Sequence, residues 1–309
     1  MALLFISAVE APVVWRAEFA RLLPGDEFRV WPEAGRREDV EFLLVWRPAR
    51  GSLKGFPNLK AILNLGAGVD YVLKDPDLPK DVPLVRLIDK GLTDGMVEFV
   101  LHAVLHFHRD FHRYREFQER KTWKEVPQVA AADRRIGILG FGHLGQAAAR
   151  HLLALGFPVS GWSRTRKTVP GARSFAGVSE LGEFLGRCDI LVCLAPLTAE
   201  TDGIVNAGTL AQLPKGAHLI NAGRGGLAVE ADVLAALDSG QLGGAWLDVF
   251  RREPLPPESP FWAHPNAIVT PHVAAITLPG PAALEAADNI RKIRAGLAPN
   301  GLVDKAHGY

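Results

Sequence analysis

One segment near the middle of the chain restricts the possible folds more than any other. Arg135–Leu139 reads as a short apolar strand, and His143–Leu155 reads as a helix. Between them stand Gly140-Phe141-Gly142-His143-Leu144-Gly145, a GxGxxG loop. In such a loop the first glycine permits the tight turn, and the second lets a pyrophosphate approach the backbone. The third lets helix and strand pack closely. The helix N-terminus adds unpaired N–H groups and a favourable dipole. The loop alone would be weak evidence, and a structural glycine-rich turn is the alternative. With strand and helix in place, residues 140–145 are candidate dinucleotide contacts.

The rest of the chain repeats that strand–helix rhythm. Beyond the glycine loop, strands are expected at Pro158–Trp162, Ile190–Leu194, His218–Asn221, Ala245–Val249 and Ala267–Thr270, with a helix at Glu230–Leu237. Before it, Leu3–Ile6, Phe28–Trp31, Phe42–Trp46, Leu59–Leu63 and Leu84–Ile88 read as strands, and Pro12–Leu23 as a helix. Residues 95–120 read as one long helix with Val100, Val104, Phe107, Phe111 and Tyr114 on one stripe. Its cations, Arg109, Arg113, Arg115, Arg120 and Lys121, form either a phosphate or partner site or a solvated face offset by Glu116, Glu119 and Glu125. Residues 254–260 hold too much proline for a helix, and a last helix is expected at Pro281–Leu297. The rhythm predicts an α/β protein with parallel sheets. A length of 309 residues suits about two domains.

Charge narrows the function classes. Lys+Arg is 35 against 34 for Asp+Glu, and this balance argues against a nucleic-acid binder. The N-terminal apolar run is too short for a membrane span, lacks the basic flank and layout of a signal peptide, and reads as a first core strand. Cys188 and Cys193 fall in one apolar run, on opposite faces if all of it is strand, and read as buried small residues. That usage fits a reducing, cytoplasmic setting. No metal site is expected.

Two further patterns concern ligands. An acidic residue about 20 positions past the glycine loop would hold the ribose 2′-hydroxyl of NAD. Here Trp162-Ser163-Arg164-Thr165-Arg166-Lys167 occupies that place. Its hydroxyl and its three cations, Arg164, Arg166 and Lys167, suit a 2′-phosphate, so NADP(H) is expected to be preferred over NAD(H). Mixed cofactor use is the alternative.

Arg224, Glu253 and His272 each lie just past a predicted strand, where open α/β sheets form their sites. A histidine can protonate an oxygen that gains charge as hydride arrives, and a carboxylate beside it sustains the imidazolium. An arginine can grip a substrate carboxylate and polarise a carbonyl. Small residues in Leu65-Gly66-Ala67-Gly68-Val69-Asp70 can form an anion nest or an ordinary tight turn.

With these residues in place, the chain resembles the D-isomer-specific 2-hydroxyacid dehydrogenases. The resemblance rests on Asn221-Ala222-Gly223-Arg224-Gly225, Glu253-Pro254-Leu255-Pro256 and Pro271-His272-Val273-Ala274, with Arg, Glu and His 29 and 19 residues apart. It is similar in particular to the glyoxylate/hydroxypyruvate reductase A branch, through Leu65–Asp70, Trp162–Lys167, Ala235–Gly240, Asp248–Pro260, Pro271–Thr277 and the terminal Gly308-Tyr309. Phe141 and Arg251 depart from the branch pattern without removing a functional group.

The resemblance implies two Rossmann-like, doubly wound domains with a cleft between them. Residues 1–95 with 280–309 would bind substrate, and residues 96–279 would bind NADP. It implies catalytic Arg224, Glu253 and His272. It extends the cofactor contacts to Leu194, Ala195, Pro196, Ala222, Gly223, Asp248 and Ala274, beside the glycine loop and the Trp162–Lys167 turn. Arg224 and His272 would also contact the cofactor. Trp46, Gly66, Ala67, Gly68, Val69, Arg224 and His272 would line the substrate site. The implied activity is NADPH-dependent reduction of small 2-oxo acids, glyoxylate and hydroxypyruvate, by a cytoplasmic homodimer. Trp123 would either reach the partner's site or anchor locally. The alternatives are another substrate branch (phenylpyruvate, pyruvate or phosphoglycerate type) or a non-catalytic, cofactor-sensing corepressor-like protein.

Overall fold

A computed structural model describes residues 1–8 and 11–308, so Tyr309 of the terminal pair lies outside the described residues. The chain divides into two compact units, residues 1–94 with 276–309, and residues 95–275.

In the first unit the elements run β1 (Ala2–Ser7), α1 (Pro12–Leu22), β2 (Glu27–Val30), β3 (Val40–Trp46), β4 (Ala61–Asn64), α2 (Asp70–Leu73) and β5 (Leu84–Arg86). The five strands pair in parallel in the order β2-β1-β3-β4-β5. This is the flavodoxin-like doubly wound order. Because helices cover both faces of such a sheet, its strands are apolar almost throughout. Ala2 to Ile6 and Val40 to Val45 are accordingly buried. Helix α1 starts on Pro12, whose fixed φ suits a first turn. Its Trp15 and Phe19, one turn apart, pack with Phe5 and Phe28 at ring separations of 5.7–6.5 Å.

The chain passes from one unit to the other within α3 (Lys90–His108). The second unit continues with α4 (Phe111–Glu119), β6 (Ile136–Leu139), α5 (His143–Ala154), β7 (Val159–Ser163), β8 (Arg173–Ala176), α6 (Leu181–Leu185), β9 (Ile190–Cys193), α7 (Ala207–Leu210), β10 (Ala217–Asn221), α8 (Glu230–Asp238), β11 (Leu242–Leu247) and β12 (Ala267–Val269). Its seven parallel strands lie in the order β12-β11-β10-β9-β6-β7-β8. This is the dinucleotide-binding order with one strand added, and its winding reverses between β6 and β9. After the second crossing, α9 (Pro279–Arg294) packs on α1, and the terminal segment bonds to β5 through Val303 N–H to Leu84 O and Arg86 N–H to Gly301 O.

The expected α/β class with two parallel, doubly wound sheets is thus observed. Several local expectations change. The helix expected over 95–120 is two helices. Asp110 takes a left-handed backbone (φ 55°), which stops α3 and starts α4, so the apolar stripe ends at buried Phe107 and Phe111 is exposed. Strand β8 is new. Its Arg173-Ser174-Phe175-Ala176 carries one buried apolar residue, as suits a sheet edge. Cys188 and Cys193 share one core cluster instead of lying on opposite faces, because β9 begins only at Ile190. Both are unpaired and buried, and burial pushes both thiols well above their ordinary range. Arg113, Arg115 and Arg120 pair with Asp110, Glu119 and Glu116 at 2.8–3.7 Å on a solvated face.

Candidate functional site

The register of the second sheet aligns the candidate residues. Trp162, Leu139, Cys193, Asn221, Leu247 and Val269 pair in sequence across six neighbouring strands, forming one row. All six strands point the same way. The residues that follow them, Gly140, Leu194, Ala222, Asp248 and Thr270, therefore leave the sheet along one edge, and the β7 turn leaves it one residue later, after Ser163. Arg224, Glu253 and His272 lie in three adjacent loops of that edge, and the glycine loop stands at the reversal of winding.

The glycine loop is built by close contacts. Gly140 has φ +109°, and a Cβ there would lie 2.2 Å from Ala195 N. A Cβ on Gly145 would lie 2.2 Å from the Gly140 carbonyl oxygen. Gly142 differs: nothing lies within 4 Å of its would-be Cβ. It caps α5 with no side-chain acceptor for the first-turn N–H groups. Open space above a bare helix N-terminus suits a phosphate group. The residues at this edge therefore fit a dinucleotide.

Some expected contacts are redirected. Phe141 is fully buried and fills the space left by Gly161, whose Cβ would strike its ring at 2.2 Å. Trp162 is also a core side chain. Its indole N–H donates to Gly177 O at 2.8 Å, and its carbonyl accepts from the N–H groups of Gly140 and Phe141. These two side chains shape the loop from beneath and do not face the open space. Asp248 is buried as well. Its carboxylate accepts from Thr270 Oγ1 (2.7 Å), Val273 N (2.9 Å) and Ala274 N (2.9 Å), so it positions the 270–274 loop. Among the cations of the β7 turn, Arg164 and Lys167 are exposed. Arg166 bonds Ser174 O and forms an ion pair with Glu180 at 2.5 Å.

His272 and Glu253 are in contact. His272 Nδ1 lies 2.8 Å from Glu253 Oε2, and Glu253 Oε1 accepts from Phe250 N at 3.0 Å. This contact engages Nδ1 and not Nε2. His272 itself has a left-handed backbone (φ 56°), held by its N–H donating to Asp248 O at 2.8 Å. The Arg224 loop is shaped by buried Asn221, whose amide donates to Arg224 O (3.1 Å) and accepts from Gly223 N (3.2 Å). Gly225 admits no Cβ, since Phe250 C would lie 1.9 Å away, so this loop abuts the one leading to Glu253. Arg251 staples the two together through Ala228 O, Gly226 O and Asp202. Asn221 and Arg251 carry no chemistry of their own. Only the position of Asn221 at a strand end hints at its part.

In the first unit, Gly66 lies beneath the Trp46 ring, which a Cβ would meet at 2.1 Å. Trp46 packs edge-on against Tyr71, and Tyr71 donates to Asn64 Oδ1. The Asn64 amide donates to Gly66 O (2.8 Å) and Gly68 O (3.1 Å), drawing those carbonyls inward. The N–H groups of Ala67, Gly68 and Val69 have no acceptor among the described residues. Loop 66–69 thus has the makings of an anion nest. Trp123, beyond α4, is fully exposed. Among the described residues, no group of three or more His, Cys, Asp or Glu could hold a metal, and no helix is long and apolar enough to cross a membrane.

A parallel sheet of this order, with a glycine loop at its switch point, defines the Rossmann class of nucleotide-binding proteins. Within that class, the chain belongs to the D-isomer-specific 2-hydroxyacid dehydrogenase family. The family's NAD-binding domain matches residues 101–274. The chain is 45% identical, over 96% of both chains, to a glyoxylate/hydroxypyruvate reductase A of Klebsiella pneumoniae (strain 342). It superposes with a TM-score of 0.97 on a D-isomer-specific 2-hydroxyacid dehydrogenase from Xanthobacter autotrophicus Py2 in complex with NADPH and MES (44% identity, covering 100% of this chain and 99% of that one). It is likewise similar to an NADPH-dependent glyoxylate/hydroxypyruvate reductase from Sinorhizobium meliloti in complex with NADP and sulfate (TM-score 0.93, 42% identity, 100% and 99% covered).

Proposed function

We propose that this chain is an NADPH-dependent reductase of small 2-oxo acids, converting glyoxylate to glycolate and hydroxypyruvate to glycerate. The observation that carries this reading is the 2.8 Å contact between His272 Nδ1 and Glu253 Oε2 on the sheet edge that also carries the glycine loop. The 45% identity to a glyoxylate/hydroxypyruvate reductase supports the substrate class. The NADPH and NADP complexes of its relatives support the cofactor.

Bound NADPH supplies the hydride. Residues 142–145 would hold its pyrophosphate, the 163–167 turn its 2′-phosphate, and the loops at 194–196, 222–223 and 274 its remaining length. His272 holds a proton on Nε2 and gives it to the substrate oxygen, while Glu253 fixes the ring and offsets the imidazolium charge. Arg224 binds the carboxylate and polarises the carbonyl. In the first unit, the N–H groups of 67–69 are carboxylate donors and Trp46 is a lining residue. We further propose a homodimer, supported by the exposure of Trp123, and a cytoplasmic location, supported by two unpaired thiols.

The test is steady-state oxidation of NADPH and of NADH with glyoxylate, hydroxypyruvate, pyruvate and phenylpyruvate. The expected result is the highest kcat/KM with NADPH and one of the first two acids. Preference for NADH overturns the cofactor assignment. Absence of turnover on every acid favours a cofactor-sensing binding protein.

A further inference from the structure

The turn that follows β7 bears three cations, and Arg166 among them is held by its neighbours. The Arg166 guanidinium bonds the Ser174 carbonyl on β8 and Glu180 Oε1. Glu180 is 14 residues further on and falls outside the motif that suggests a phosphate site. Exposed ion pairs usually contribute little, because two long side chains must be ordered for a screened attraction. Here the carboxylate is ordered by other means. Its second oxygen accepts from Ala176 N at 2.7 Å, and this bond, with the guanidinium, holds the carboxyl below its usual range. The loop that carries it is tied to β7 twice, by the Trp162 indole on Gly177 O (2.8 Å) and by Gly177 N on Ser163 O (3.1 Å). The acceptor therefore stands ready before Arg166 arrives. The two bonds use one hydrogen on each terminal nitrogen and leave three of the five guanidinium donors.

We propose that Glu180 is a positioning residue for cofactor selection: it holds Arg166 ordered at the β7 turn, so that this arginine recognises the 2′-phosphate without first losing its rotamer freedom. The proposal rests on the NADPH reading above and names a residue on which the preference depends. Glu180 also repels a phosphate, and the relative sizes decide the sign. Repulsion from a carboxylate in contact with water is screened over about 8 Å at physiological salt. Ordering a free arginine on binding costs affinity by roughly three- to tenfold.

The experiment is direct titration of NADPH and NADH, at near-physiological salt, into the full-length wild-type chain and the variants Glu180→Ala, Glu180→Gln, Arg166→Ala and the Arg166→Ala/Glu180→Ala pair. Calorimetric Kd values are read, with a thermal melt for each protein. Glu180→Ala should raise the Kd for NADPH roughly three- to tenfold and leave that for NADH unchanged. Glu180→Gln, which keeps an acceptor, should recover most of the loss. The double variant should match Arg166→Ala alone, since Glu180 acts only through Arg166. Equal weakening of both cofactors, unchanged or tighter NADPH binding by Glu180→Ala, or additive effects in the double variant would each overturn the proposal. Should Glu180→Ala fail to fold, Glu180→Ser, whose side chain is too short to reach the guanidinium, takes its place: a raised Kd for NADPH alone supports the proposal, and an unchanged Kd overturns it. A wild-type preference for NADH would instead defeat the underlying cofactor reading.

Discussion

Two glycines of one loop make opposite demands. Gly140 needs a left-handed backbone and has backbone atoms where a Cβ would go, so Gly140→Ala should destabilise the second unit by several kcal/mol or prevent its folding. Gly142 has an ordinary φ of −79° and open space around it. Gly142→Ala should keep the wild-type melting temperature yet weaken NADPH binding, because the methyl group occupies room meant for phosphate. Paired thermal melts and titrations check both, and unchanged affinity in Gly142→Ala would show that the space is not used. At His272 the expected effect is on turnover. His272→Ala should lower kcat by about 10²-fold or more while leaving the Kd for NADPH near wild type, as measured by steady-state kinetics beside calorimetry. Near-normal turnover would remove the imidazole from the reaction.

The helix break at Asp110 has an electrostatic counterpart. His106 on α3, His112 on α4 and His218 on β10 cluster with Phe107 and Trp246, and a ring nitrogen of each histidine is buried with no hydrogen-bond partner among the described residues. Burial lowers His106 to about 4 and His218 to about 3, with His102, Arg115 and Arg134 adding repulsion. Burial also lowers His112, against the attraction of Asp110 and Glu116. Above pH 6.5 both folded and unfolded chains hold these rings neutral. As pH falls from there toward 4 and then 3, the unfolded chain binds protons that the folded one refuses, so stability drops across that window. Urea unfolding at pH 7 and pH 5 should show the loss, and His218→Phe should reduce it; an identical pH dependence in that variant would exclude His218 as a source.

The sheets themselves were legible, because buried parallel strands read as short apolar runs bounded by turn residues. The break at Asp110 was not, since helical periodicity continues through it and only the backbone reverses. Arg224, Glu253 and His272 were legible as polar residues just beyond apolar runs. The directions of Trp162 and Asp248 were not, because a side chain at a strand end can turn outward or fold back, and its identity does not say which.

At the scale of the whole chain, the first unit is assembled from segments far apart in sequence. Arg294 on α9 forms a two-pronged pair with Asp26 at 2.7 Å and reaches Glu41 at 3.1 Å, across 268 and 253 residues. Asp26 is nearly buried, so removing its partner leaves a desolvated carboxylate. Arg294→Ala should cost the first unit about 2–4 kcal/mol, within the range for breaking largely buried pairs. Calorimetry should then show a transition moved to lower temperature for that unit alone; an unshifted profile would mean that the pair contributes nothing net.

This long-range closure also has a consequence in time. A ribosome adds roughly 5–20 residues each second. Strands β1–β5 therefore emerge roughly 10–40 s before the arginine that fastens α9 to them. Throughout that interval the second unit is being completed, while the α9-facing side of α1 has no cover. The first sheet to be made is the last to be finished, and its exposure to chaperones and proteases is set by the length of the inserted unit.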